Sequence, residues 1–101
     1  MLKVTLTDSG AETAVTIEGR MDTAAAPEFE QALEPVWAME HPQLLLDCRK
    51  LEYISSSGLR IFLKLKKSVD AKGGQVTLSA LQPTVREVFD MTGFAKMFQI
   101  K

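Results

Sequence analysis

Leu44-Leu45-Leu46-Asp47-Cys48-Arg49-Lys50-Leu51-Glu52-Tyr53-Ile54-Ser55-Ser56-Ser57-Gly58-Leu59, residues 44–59, is the stretch whose reading decides the fold. Three leucines in succession show neither a period of two nor one of 3.6, the pattern expected of a central strand covered on both faces, over Gln43 to Asp47. From Ser55 to Lys72 the period is helical. Leu59, Phe62, Leu63, Leu65 and Val69 fall inward, while Lys64, Lys66, Lys67 and Asp70 reach water as a solvated face. Gly73 and Gly74 stop that helix. The stretch is therefore a buried strand running into an amphipathic helix through a serine-rich turn.

Working outward, Leu2, Val4 and Leu6 alternate with Lys3, Thr5 and Thr7 in a half-buried strand. Asp8, Ser9 and Gly10 make a turn, and Ala14 to Ile17 begins a second strand that ends at Gly19. Phe29, Leu33, Val36 and Trp37 then share one stripe of a helix. Thr23 is a candidate cap, Pro27 suits the first turn, and Pro35 threatens a kink costing roughly 3 kcal/mol if the helix continues unadjusted. Beyond the central helix, Val76 and Leu78 mark a strand. Pro83 opens a last helix with Val85, Val88 and Phe89 on its buried stripe, and Gly93 stops it. Met97 to Ile100 reads as a final edge strand. Strands alternating with helices predict an α/β fold: one domain over residues 1–101, with a mixed, mostly parallel sheet of four to five strands and an antiparallel start.

The 101 residues suffice for one core, and a formal net charge of -1 gives no electrostatic footprint for nucleic acid. The longest apolar runs are a few residues, against about 20 needed to span a bilayer. No membrane insertion is expected. The single cysteine excludes an intramolecular disulfide, and the N-terminus opens on alternating residues, so the expected compartment is the cytoplasm. His41 is the only histidine and precedes Pro42 in a loop, a poor basis for a metal site or a catalytic base. Ser-Ser-Ser-Gly also lacks the Gly-x-Ser-x-Gly elbow of serine hydrolases. An enzyme is not expected, and no metal or cofactor.

In such folds, sites gather beyond the carboxyl ends of parallel strands, which directs attention to Ser55, Ser56, Ser57 and Gly58. A helix start presents unpaired N–H groups and the positive end of the dipole, so a phosphoryl group there gains roughly 0.3–1 kcal/mol from the dipole alone. A cap needs one serine. Three exceed that need.

The order Gly19-Arg20-Met21-Asp22, Leu44-Leu45-Leu46-Asp47, Ile54-Ser55-Ser56-Ser57-Gly58-Leu59 and Val85-Arg86-Glu87-Val88-Phe89-Asp90-Met91-Thr92-Gly93-Phe94 resembles the STAS domain, the family of bacterial anti-sigma factor antagonists and of the cytoplasmic tails of sulfate transporters. The resemblance implies that Ser57, just before the glycine, is the phosphoacceptor. It also implies that Asp22, Thr23, Ser55, Ser56, Ser57, Gly58, Leu59 and Arg60 form the partner-binding surface. The partners it implies are an anti-sigma factor serine kinase, which supplies ATP and magnesium, and a serine phosphatase. The alternative is a STAS interaction subunit of a lipid-transport ATPase complex that is not phosphorylated. Two positions depart from the pattern. Ser55 stands where the antagonists have aspartate, removing an acceptor that orients the turn, and Arg60 stands where they place a small residue.

Among the remaining residues, Phe29 and Trp37 are expected in the core, as are Met91, Phe94, Met97 and Phe98. Leu59 fits either the core or a docking patch. Cys48 reads as a small, semi-buried apolar residue, with Arg49 and Lys50 able to lower its pKa if it is exposed.

Overall fold

The computed structural model describes residues 2–101. β1 (Leu2–Asp8) and β2 (Thr13–Met21) form an antiparallel hairpin. Its turn is held by Gly10 N–H donating to the Asp8 carboxylate at 2.8 Å. Next come α1 (Ala26–Ala32), α2 (Glu34–Trp37), β3 (Gln43–Ile54), α3 (Ser56–Ala71), β4 (Gln75–Ser79), α4 (Pro83–Thr92) and β5 (Gln99–Ile100), with a short 3-10 turn at Phe94–Lys96. The sheet order is β1-β2-β3-β4-β5, and every pair after the first is parallel. The expected mixed sheet is thus present, with five strands.

Because the parallel strands advance in one direction and such crossovers are right-handed, all the helices come to one face. A chain of aromatic contacts records this. Phe62 of α3 lies 5.2 Å from Phe29 of α1, 5.5 Å from Phe89 of α4 and 6.4 Å from Phe98, ring centre to ring centre. Val15, Ile17, Leu44, Leu46 and Leu78 complete the core beneath them. The opposite face carries Thr5, Thr16, Leu45 and Asp47, and Leu45 is only half buried. The expectation of a strand covered on both faces is corrected: only alternate residues of β3's first half are buried, and the leucine run does not distinguish the two cases.

The first helix is not continuous. Pro35 has no N–H to give, and the chain breaks at Leu33 into α1 and a single turn, α2, each with a proline in its first turn. Thr23 is exposed and does not cap α1. Ala25 is the cap residue, and its N–H donates to the Asp22 carboxylate at 2.9 Å. The glycine pair after α3 has a second cause besides ending a helix. A β-carbon on Gly74 would stand 2.1 Å from the Pro42 carbonyl oxygen, so the α2–β3 and α3–β4 loops approach only because that side chain is missing. At the C-terminus the apolar cluster divides. Phe98 is buried, but Met91 is 79% exposed and Met97 41%, so neither is core. Leu63 is half buried and outside the core cluster, and Trp37 is half buried, its ring under the Lys64 ammonium at 5.4 Å. Lys64 and Lys66 pair with Glu30 and Asp70, rather than standing only in water.

Candidate functional site

The serine turn lies at the carboxyl end of β3, where the sheet is bent. Against β2, β3 carries one extra residue between Asp47 and Lys50 and another between Leu51 and Tyr53. Such bulges re-aim side chains and increase twist at a sheet's end. They let Leu51 and Ile54 both be buried while Tyr53, 41% exposed, lies under the Arg20 guanidinium at 4.5 Å. The strand then stops, and Ser55, in extended conformation, begins α3.

The three hydroxyls have different environments. Ser55 is buried, and its Oγ accepts the Gly58 N–H at 3.2 Å, while its own N–H donates to the Met21 carbonyl at 2.8 Å. Ser55 therefore supplies an acceptor at the place where aspartate was expected to be needed. Ser56 is exposed and Ser57 half buried. Gly58 is buried because Met21 fills the space beside it: a β-carbon there would lie 2.8 Å from Met21 Sδ and 3.1 Å from Ile54 Cγ1. Leu59, 5% exposed, belongs to the core, which settles its two sequence readings in favour of packing. Of the expected partner surface, Asp22, Thr23, Ser56 and Arg60 are exposed and Ser57 is partly so. Ser55, Gly58 and Leu59 support it from beneath. The Ser55–Met21 bond brings the Asp22 loop to the turn.

A model of the STAS domain matches residues 3–101. The chain belongs to the STAS domain family. It is 31% identical over 91 residues to a STAS-domain containing protein of Pseudomonas aeruginosa, covering 90% of this chain and 89% of the relative. It is 30% identical over 86 residues to the anti-sigma-B factor antagonist of Bacillus subtilis, covering 85% and 78%. Among solved structures, an anti-sigma factor antagonist from Mycobacterium paratuberculosis superposes with a TM-score of 0.88 at 27% identity, over 99% of this chain and 85% of that one.

The rest of this STAS domain offers little competing chemistry. One cleft, of about 660 Å3, is at the opposite end of the sheet, between Met39, Glu40 and His41 on one loop and Lys72 and Gly73 on the other. Its size does not make it the site, because Lys72 is committed to the Trp37 carbonyl. Among the described residues no three His, Cys, Asp or Glu side chains are grouped as metal ligands. Nor is any helix long and apolar enough to cross a membrane. Cys48 is fully buried rather than semi-buried. Burial, with the Asp47 carboxylate adding to it, pushes its thiol up to about 12, and the exposure under which Arg49 and Lys50 would lower it is absent. Met21 and the Arg20–Tyr53 stack were not singled out in the sequence. Both depend on the two bulges, which leave no periodic signal, although Met21 lies within the Gly19-Arg20-Met21-Asp22 motif.

Proposed function

We propose that this STAS domain is an anti-sigma factor antagonist whose affinity for an anti-sigma factor serine kinase is switched by phosphorylation in the first turn of α3, and restored by a serine phosphatase. The observation that carries the reading is the division of labour among the serines. Ser55 is consumed in fixing the turn, and Ser56 and Ser57 are left with hydroxyls that no partner among the described residues engages. The names of relatives that align along most of the chain support the same class of function.

Family resemblance points to Ser57 as the acceptor; accessibility favours its neighbour. Ser56 is exposed where Ser57 is half buried, and a kinase must surround the hydroxyl it modifies. The proposed acceptor is Ser57, which stays partly accessible, with the exposed Ser56 beside it as the alternative. A phosphate here carries a charge of about -2, and the bare contact surface becomes an anionic one that the partner must desolvate. The domain itself performs no catalysis in this cycle.

The test is incubation of the purified chain with its anti-sigma factor kinase, ATP and magnesium, followed by site mapping by mass spectrometry and binding measurements on both forms. One phosphate on Ser56 or Ser57 and at least a tenfold weaker complex are expected. Lack of modification on both serines overturns the reading. Stable recovery of a transport ATPase subunit, with binding indifferent to the Ser56 and Ser57 hydroxyls, would favour the interaction-subunit alternative.

A further inference from the structure

Arg60 is the residue of this turn that capping and packing leave without a role. It lies four residues after Ser56 and three after Ser57 on α3, spacings that put side chains on adjoining parts of one helix face. Both Ser56 and Arg60 are exposed. Two other cations of α3 already have carboxylates, Lys64 with Glu30 and Lys66 with Asp70, and Lys72 donates to the Trp37 carbonyl. Arg60 makes no ion pair among the described residues, and the first turn of α3 contains no acid to neutralise it.

We propose that Arg60 is the internal receptor for the phosphate added to this turn: its guanidinium closes on a phosphoryl group at Ser56 or Ser57 and pins it across the first turn. This rests on the phosphorylation reading above and specifies how that site is regulated. A planar guanidinium pairs a phosphate through two parallel N–H···O bonds, which a lysine or a small residue at 60 does not reproduce. The phosphate also meets the N–H groups at the helix start, so the modified turn is ordered rather than melted. The switch therefore works by occupying a surface on an intact helix and leaving it net negative, not by unfolding it. Asp22, on the loop tied to Ser55 through Met21, is the acid on the adjoining loop and opposes the phosphate. Arg20, on the same strand end, is the competing cation, but its guanidinium is already stacked on Tyr53.

The test needs no kinase, so it separates failure of the clamp from failure of the switch. Phosphoserine is installed at position 56 by genetic encoding in the full chain, and its second pKa, near 6 in a free phosphoserine, is followed by 31P NMR. A second protein with phosphoserine at 57 is treated alike. With Arg60 present, that pKa is expected to lie about 0.5 below its value in Arg60→Ala at low salt, with the difference shrinking as salt is raised. Arg60→Lys should recover only part of it. Amide exchange at residues 56–60 should slow on phosphorylation in the parent and not in Arg60→Ala. Equal pKa values in the parent and Arg60→Ala at both phosphoserine positions overturn the proposal. So does a shift that follows Arg20→Ala instead, or faster amide exchange in the phosphorylated parent. Circular dichroism of each variant confirms that α3 is intact.

Discussion

The Ser55 N–H donates to the Met21 carbonyl at 2.8 Å, fastening the start of α3 to the end of β2. Because Met21 also fills the space beside Gly58, one residue of β2 fixes the serine turn through both its backbone and its side chain. The turn is thus a tertiary feature that depends on β2 as much as on the capping rules of α3.

Loss of the cap is the simplest check. Ser55→Ala keeps the backbone bond to Met21 and removes the Oγ that accepts the Gly58 N–H, leaving that donor buried. The expected cost is about 1 kcal/mol. Thermal unfolding should show this as a fall in Tm of about 5 °C for a domain of this size. Ser55→Asp, which keeps an acceptor at the same place, should recover most of it.

Gly58→Ala tests the contact with Met21. The added methyl meets Met21 Sδ at 2.8 Å and Ile54 Cγ1 at 3.1 Å, within a side chain that has no exposed surface to move into. Overpacking of this kind costs about 1–3 kcal/mol, and the better helix propensity of alanine returns at most about 1. Chemical denaturation should report a net loss. Combining Gly58→Ala with Met21→Ala should cost less than the sum of the two single changes, because each relieves the other's fault.

Most of the architecture was legible in the sequence, since its signals are local. The alternation of Leu2, Val4 and Leu6, the stripe of Leu59, Phe62, Leu65 and Val69, and the Gly73-Gly74 stop each describe one element and needed no partner to be read. What escaped depended on neighbours. Leu44, Leu45 and Leu46 have the same composition whether a strand is covered once or twice, and only the crossovers decide. The extra residues in β3 that expose Tyr53 erase the period that would have placed it. The serine turn was found from its hydroxyl count and the motif order, whereas the separate parts played by Ser55, Ser56 and Ser57 follow from burial, which no spacing expresses.

Two apolar residues of the C-terminal half should behave oppositely. Phe62 is fully buried at the junction of Phe29, Phe89 and Phe98, and Phe62→Ala should cost about 3–5 kcal/mol, from lost transfer energy and the cavity left behind. Met91 sits on the adjoining helix but is 79% exposed, and Met91→Ala should change stability by no more than about 0.5 kcal/mol. Urea titrations of the two variants check this. A Met91 effect approaching that of Phe62 would mean that the methionine packs against the core.

Cys48 gives stability a pH dependence in the alkaline range. Its thiol is fully buried and held up at about 12, against an ordinary value of 9.0, chiefly because burial disfavours the thiolate. Below pH 9 both folded and unfolded chains keep the proton, and the group contributes no slope. Above pH 9 the unfolded chain loses it while the folded chain retains it. The unfolded state is then favoured by up to about 1.4 kcal/mol for each further pH unit, until the folded thiol ionises near 12. Cys48→Ala removes this term at the cost of a small cavity. Urea unfolding of parent and variant between pH 7 and 10.5 should show a constant difference up to about pH 9. Above that the gap should close or reverse, by about 2 kcal/mol at the upper limit. In the folded parent at pH 8 the thiol should resist alkylation by iodoacetamide and become fully reactive in denaturant, because access and ionisation are withheld by the same burial. Alkylation at equal rates in the folded and denatured chains would place Cys48 at the surface and remove the physical basis for both expectations.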